Sequence, residues 1–149
     1  VERRNLGVIA YSTLMHGLLT GKYTSTDDVP EGRARTRHFS TSRKYARHGE
    51  AGHEEQTFKT LKRIREIADS TQIPMWILAS AWVLQRAMIC CVLVGARTPQ
   101  QAAAQARIAE TELSDDIMLS LNEATDELKH VLGPNPDMWQ GDSRIRFEP

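Results

Sequence analysis

The chain has no net charge, only two cysteines and no long apolar run, and each shortage closes off a class of function. Lysine plus arginine and aspartate plus glutamate balance at 19 each, so no overall field recruits nucleic acid or an anionic membrane. No apolar run approaches the length of a membrane span, and the first residues lack a secretory-signal pattern. Cys90 and Cys91 are adjacent inside an apolar stretch. Neighbours in a strand point to opposite faces, so the two are poorly placed to bridge each other. They read as small buried apolar groups in a reducing, cytoplasmic compartment. The histidines His16, His38, His48, His53 and His130 show no metal-ligand spacing, and no Cys-x-x-Cys pattern occurs, which argues against zinc. No Ser/His/Asp or Cys/His set stands out, and internal repeats and low-complexity tracts are absent.

What is present is an ordinary globular composition, 40% hydrophobic and 26% charged. The 149 residues suffice for one domain, read as spanning residues 1–149. They fall short of the roughly 250 residues of a full eight-stranded α/β barrel. The chain opens on Val1 rather than Met, which fits a fragment, a processed product or a trimmed form.

Residues 6–12 and 88–94 read as short buried strands. Between residues 24 and 53 periodicity disappears, and Arg33, Arg35, Arg37, Arg43, Lys44 and Arg47 crowd the segment. A loop that long is either functional or disordered. Residues 54–70 form an amphipathic helix with Phe58, Leu61, Ile64 and Ala68 on one face. Pro74 suits the first position of a second helix over 75–85, apolar nearly all round and so deeply packed. Thr98-Pro99-Gln100-Gln101 opens a third helix as a capping box. Ser114-Asp115-Asp116 caps a last helix, with Ile117, Leu121, Ala124, Leu128 and Val131 on one face and Gly133-Pro134 as its stop. Residues 135–149 read as an extended tail, with Trp139 as its anchor. This β/α alternation favours parallel pairing, yet two parallel strands leave faces and edges open.

The chemistry sits where the two strands end. In Tyr11-Ser12-Thr13-Leu14 an aromatic ring and a hydroxyl follow a strand; the ring could stack on a heterocycle, or serve simply as a strand aromatic. Gly17-Leu18-Leu19-Thr20-Gly21-Lys22 supplies glycines and a lysine for a pyrophosphate without Walker spacing. Gly95-Ala96-Arg97-Thr98-Pro99 leads into a helix N-terminus, where the backbone dipole and Arg97 favour an anion. Gln101 at the capping-box position could equally just close the helix.

Both stretches, 7–23 and 92–101, closely resemble cofactor-binding segments of the aldo-keto reductases, NADP-dependent (β/α)8 TIM barrels. Ala79 to Leu84 resembles the family's Ala-x-Ala-Trp-Val-Leu pattern, and Leu132 to Trp139 resembles the C-terminus of a bacterial subgroup related to potassium-channel β-subunit-like reductases. The resemblance implies an α/β, helix-rich, partial barrel: about its last two β/α units, a closing helix and a tail. It implies that Tyr11, Ser12, Thr13, Leu14 and Lys22 contact nicotinamide and pyrophosphate. Arg33, with Arg35 as the other candidate, would lie in the loop folded over the cofactor, and Gly95, Arg97, Gln101 and Gln105 would line the adenosine end.

Two departures accompany the match. Thr13 stands where the family usually has proline, and Ala104-Gln105 stands for Glu-Asn, a lost carboxylate that weakens the adenine contact. No segment matches the family's catalytic Tyr, Lys, Asp and His, so the chain is expected to bind NADP(H) without catalysing alone. The alternative is a non-catalytic half-barrel that forms a homo-oligomer or pairs with a complementary half through its open strands.

Overall fold

A computed structural model describes residues 6–140 as a helix-rich α/β chain with a small parallel sheet; the expected extension of the tail over 141–149 lies outside the described residues. Chain order is β1 (Val8–Ala10), α1 (Glu54–Thr71), α2 (Met75–Leu84), β2 (Ile89–Val92), α3 (Pro99–Glu110) and α4 (Asp115–Leu132), with 3₁₀ turns at Met15–Thr20 and Thr26–Asp28. Two compact units divide these elements. The first holds residues up to Lys22 and Ile64–Asn122; the second holds Tyr23–Arg63 and the chain from Glu123 onward.

In the first unit α2 is the packing spine. Ile77, Leu78, Ala79, Ser80 and Ala81 are buried on all sides of it, as its uninterrupted apolar sequence predicts. It packs against α3, β2 and the first 3₁₀ turn. Pro74 sits one residue earlier than expected, at the N-cap with extended ψ of 132°, where its carbonyl accepts the amides of Ile77 and Leu78. β1 and β2 are parallel, in register Val8↔Ile89 and Ala10↔Val92, with an irregularity after Val8. Both are shorter than the sequence suggests, and they are not buried: Leu6, Ile9 and Leu93 are 53%, 59% and 56% exposed. Each strand has one paired edge, so burial would need neighbours that the described residues do not supply. The same openness corrects the cysteines. They are free thiols as expected, but neither is buried: Cys90 is exposed and Cys91 half-buried.

In the second unit the segment expected to be functional or disordered is ordered. Phe39 and Ala34 are fully buried in it, with Val29 and Tyr23 nearly so. Asp28 starts it: the Thr24 hydroxyl and the Thr24 and Ser25 amides donate to its carboxylate, holding its pKa down at about 2. Within the basic cluster Arg43 is turned inward, its guanidinium meeting Glu31 at 2.8 Å, Glu54 at 3.4 Å and the Thr26 carbonyl at 2.9 Å. The close approach at Gly52 is what lets this loop return. Its φ is +83°, and a Cβ there would lie 2.3 Å from the Phe39 carbonyl carbon. α4 ends as its sequence says, with Gly133 at φ +69°.

Three substitutions test this packing. Gly52→Ala should lower stability in chemical denaturation by roughly 2 kcal/mol or more, because the backbone it strikes cannot retreat as a side chain can. Gly32→Ala, with nothing within 4 Å, should leave the midpoint unchanged or slightly raised. Leu78→Ala in α2 should cost about 2–4 kcal/mol in the same measurement.

Candidate functional site

Parallel pairing decides where the two polar tips go. Ala10 faces Val92, and the Leu93 amide donates to the Ala10 carbonyl at 2.8 Å. The chain therefore leaves both strands at the same end of the sheet, with Tyr11-Ser12 beside Leu93-Val94-Gly95. That is the end at which ligands sit in parallel α/β proteins.

The first tip is backbone-rich and strained. Ser12, Met15 and His16 adopt φ of 57°, 44° and 56°, left-handed values that cost a non-glycine residue about 1–2 kcal/mol each. Such strain clusters where a chain is shaped for binding. Tyr11 is 70% exposed, its ring available for stacking, and Ser12 is exposed beside it. Thr13 points the other way: it is buried, with its hydroxyl 3.4 Å from that of Ser80 on α2. Its side chain belongs to the packing, so only its backbone is at the tip. Leu14 is half-buried, and its carbonyl accepts the amides of Gly17 and Leu19, closing the turn. Lys22 is exposed at the end of the first unit.

The second tip is the loop into α3. Thr98 caps the helix as expected, its hydroxyl accepting the Gln101 amide at 3.2 Å. The Gln101 side chain closes the box one residue further back than the motif prescribes, accepting the Arg97 amide at 2.8 Å. Gln105 reaches back to donate to the Gly95 carbonyl at 2.7 Å. Both glutamines thus brace the loop from the helix, and the Arg97 side chain is exposed at the positive end of a 12-residue helix dipole. Arg33, expected over a cofactor, is exposed in the second unit.

Arg65 escaped the sequence reading. It donates to the Gly21 carbonyl at 2.8 Å and so fixes the glycine turn, at φ +79°, that precedes Lys22. Nothing in the pattern of α1 singles it out, since an arginine on a polar helix face is ordinarily solvated. A cavity of about 450 Å³ lies beside it, lined by Gly21, Asp69, Gln72 and Met75 among others. None of the expected cofactor contacts lines that cavity.

The aldo/keto reductase family model matches residues 1–126. The chain is also similar to a fission yeast protein, aldo-keto reductase yakc [NADP(+)] of Schizosaccharomyces pombe, at 29% identity over 133 residues. That alignment takes in 87% of this chain but only 36% of the relative, so the chain spans about a third of that protein's length. With a family match over residues 1–126, most of its length, the chain belongs to the aldo/keto reductase family.

Proposed function

We propose that this chain is the cofactor-holding C-terminal half of an NADP(H)-dependent carbonyl reductase, and that on its own it binds the cofactor without turning over. One observation carries the reading: the parallel register sets Tyr11-Ser12 beside the loop that leads into α3, giving a stacking ring and an anion-favouring helix end on one rim. A dinucleotide phosphate needs those two features. The Tyr11 ring and the Ser12 hydroxyl would hold the nicotinamide end. Arg97, aided by the α3 dipole, would hold the adenosine phosphate, and Gln101 and Gln105 would keep the Gly95-to-Arg97 backbone at the height a purine requires. Leu14 and Lys22 would attend the pyrophosphate. Thr13 would contribute through its backbone.

Bound NADPH supplies a hydride for a carbonyl carbon, and the resulting alkoxide must take a proton from a placed acid. The family's acid set matches no segment here. Tyr23 is buried, Tyr11 is assigned to stacking, and Tyr45 lies under the Lys44 ammonium, 5.2 Å from the ring centroid. The open faces of the sheet support the half-barrel reading. Leu6, Ile9 and Leu93 present apolar surface of the kind a parallel sheet ordinarily buries, and further strands of a barrel would cover it.

NADPH and NADH titrations into the purified chain, followed by tryptophan fluorescence, test the reading. NADPH should bind more tightly than NADH. Arg97→Ala should weaken NADPH about tenfold while leaving NADH nearly unchanged, the loss expected of one charge-assisted phosphate contact. Failure of either nucleotide to bind, or equal weakening of both, overturns the site. In a panel of aldehydes the chain should consume no NADPH, and sustained turnover would overturn the assignment of the proton donor elsewhere.

A further inference from the structure

Within the second unit a single guanidinium holds two stretches of chain far apart in sequence. Arg37 is only 6% exposed. Its Nη2 donates to the Leu132 carbonyl at 2.6 Å and its Nη1 to the Asn135 carbonyl at 3.0 Å, so it caps the end of α4 and grips the chain beyond. Its backbone amide donates to the Met138 carbonyl at 2.8 Å. Two residues earlier, Arg35 lies over the Trp139 ring, 5.2 Å from its centroid. The docking of residues 133–140 therefore runs through Arg37. Arg37 in turn is oriented by Glu50, whose two carboxylate oxygens accept from its Nε at 2.8 and 2.9 Å.

Glu50 has a second tie. Its backbone amide donates to Nδ1 of His48 at 3.2 Å. An imidazole nitrogen that accepts cannot carry a proton, so the proton sits on Nε2. His48 is 6% exposed, and its Nε2 is buried without a hydrogen-bond partner. The ring is thus held neutral, with Nδ1 committed to the Glu50 amide and Nε2 enclosed, beside the Arg37–Glu50 pair. Neither the cofactor reading nor the packing of the first unit uses it.

We propose that His48 is a pH-sensitive latch: neutral, it fixes Glu50 so that Arg37 grips the Leu132 and Asn135 carbonyls; protonated at Nδ1, it releases Glu50 and undocks residues 133–140 from the 33–53 loop. Taking a proton from solvent at Nδ1 converts the acceptor into a donor that faces the Glu50 amide, so that bond must break. The new cation also competes with Arg37 for the Glu50 carboxylate. The charged groups acting on the ring are Glu50, which favours protonation, and Arg37, which opposes it, with the Thr36 backbone also favouring the cation. Beside them on the same loop, His38 is buried with its Nδ1 3.0 Å from the Thr36 hydroxyl. From α4 and the tail, the groups that meet Arg37 are backbone carbonyls.

Burial above all, then Arg37, holds the His48 pKa below its ordinary 6.5. The docked state therefore binds fewer protons than the released one. Its advantage is complete above pH 6.5 and is lost as pH falls through the lowered value.

Hydrogen exchange on the full chain at pH 7.5 and 5.5, corrected for intrinsic rates, reads the latch. The Arg37 amide, protected by Met138, should exchange about fivefold or more faster at the lower pH, while α2 in the first unit stays protected. His48→Asn places a non-titrating acceptor where Nδ1 stood, and it should stay docked at both pH values. Unchanged Arg37 protection in the wild type, or a pH step that survives His48→Asn, overturns the proposal. If His48→Asn is open throughout, the wild-type NMR titration decides. Coincident midpoints for the His48 ring and the Trp139 indole support the latch; separate midpoints overturn it.

Discussion

Everything placed at the candidate cofactor site depends on two strands running the same way. An antiparallel pair of identical sequence would send Tyr11 and Gly95 to opposite ends of the sheet, and no single ligand could meet both. The parallel register from Val8↔Ile89 to Ala10↔Val92 leaves no such choice, and the Leu93 amide on the Ala10 carbonyl carries the pairing up to the tips themselves. Parallel strands need a crossover of helical length between them, and here α1 and α2 lie between β1 and β2 in the chain. Local chemistry then shapes each tip: left-handed backbone after β1, and a capped helix after β2.

Arginine does two kinds of work in this molecule. Arg37, Arg43 and Arg65 are turned inward to satisfy carbonyls and carboxylates that loops would otherwise leave unpaired. Arg97 is turned outward at a helix end. The guanidinium suits both tasks because it keeps its charge and offers several donors in a fixed fork. The crowding of basic residues between 33 and 47, which by count alone suggests an anion-binding surface, is in part scaffolding for the loop and for the chain after α4.

Helices were legible in the sequence almost to the residue. α1 and α4 carry amphipathic faces, α3 and α4 carry capping residues at Thr98 and Ser114, and α2 carries the continuous apolar stretch of a buried segment. Strand positions were legible as well, but not their burial, because apolar composition reports what a strand prefers and not whether anything covers it. The capping role of Gln101 was visible in the Thr-x-x-Gln spacing. The service of Gln105 to Gly95 was not, since ten residues of chain separate the partners and no periodicity links them. Arg37, Glu50 and His48 were equally hidden: their partnership depends on how an aperiodic loop folds back, which side-chain patterning does not encode. Thr13 shows the limit of reading by motif, because Tyr11 and Ser12 before it are exposed and it is buried.

The two glutamines on α3 have a kinetic meaning. Each already spends its amide on the loop's own backbone, Gln101 on the Arg97 N–H and Gln105 on the Gly95 carbonyl. A guest that recruits either side chain must trade one partner for another, so its net enthalpic gain there is small and its arrival includes a swap. A guest that leaves both in place meets a rim already set. A ligand of this loop would do best by matching that outline rather than remodelling it.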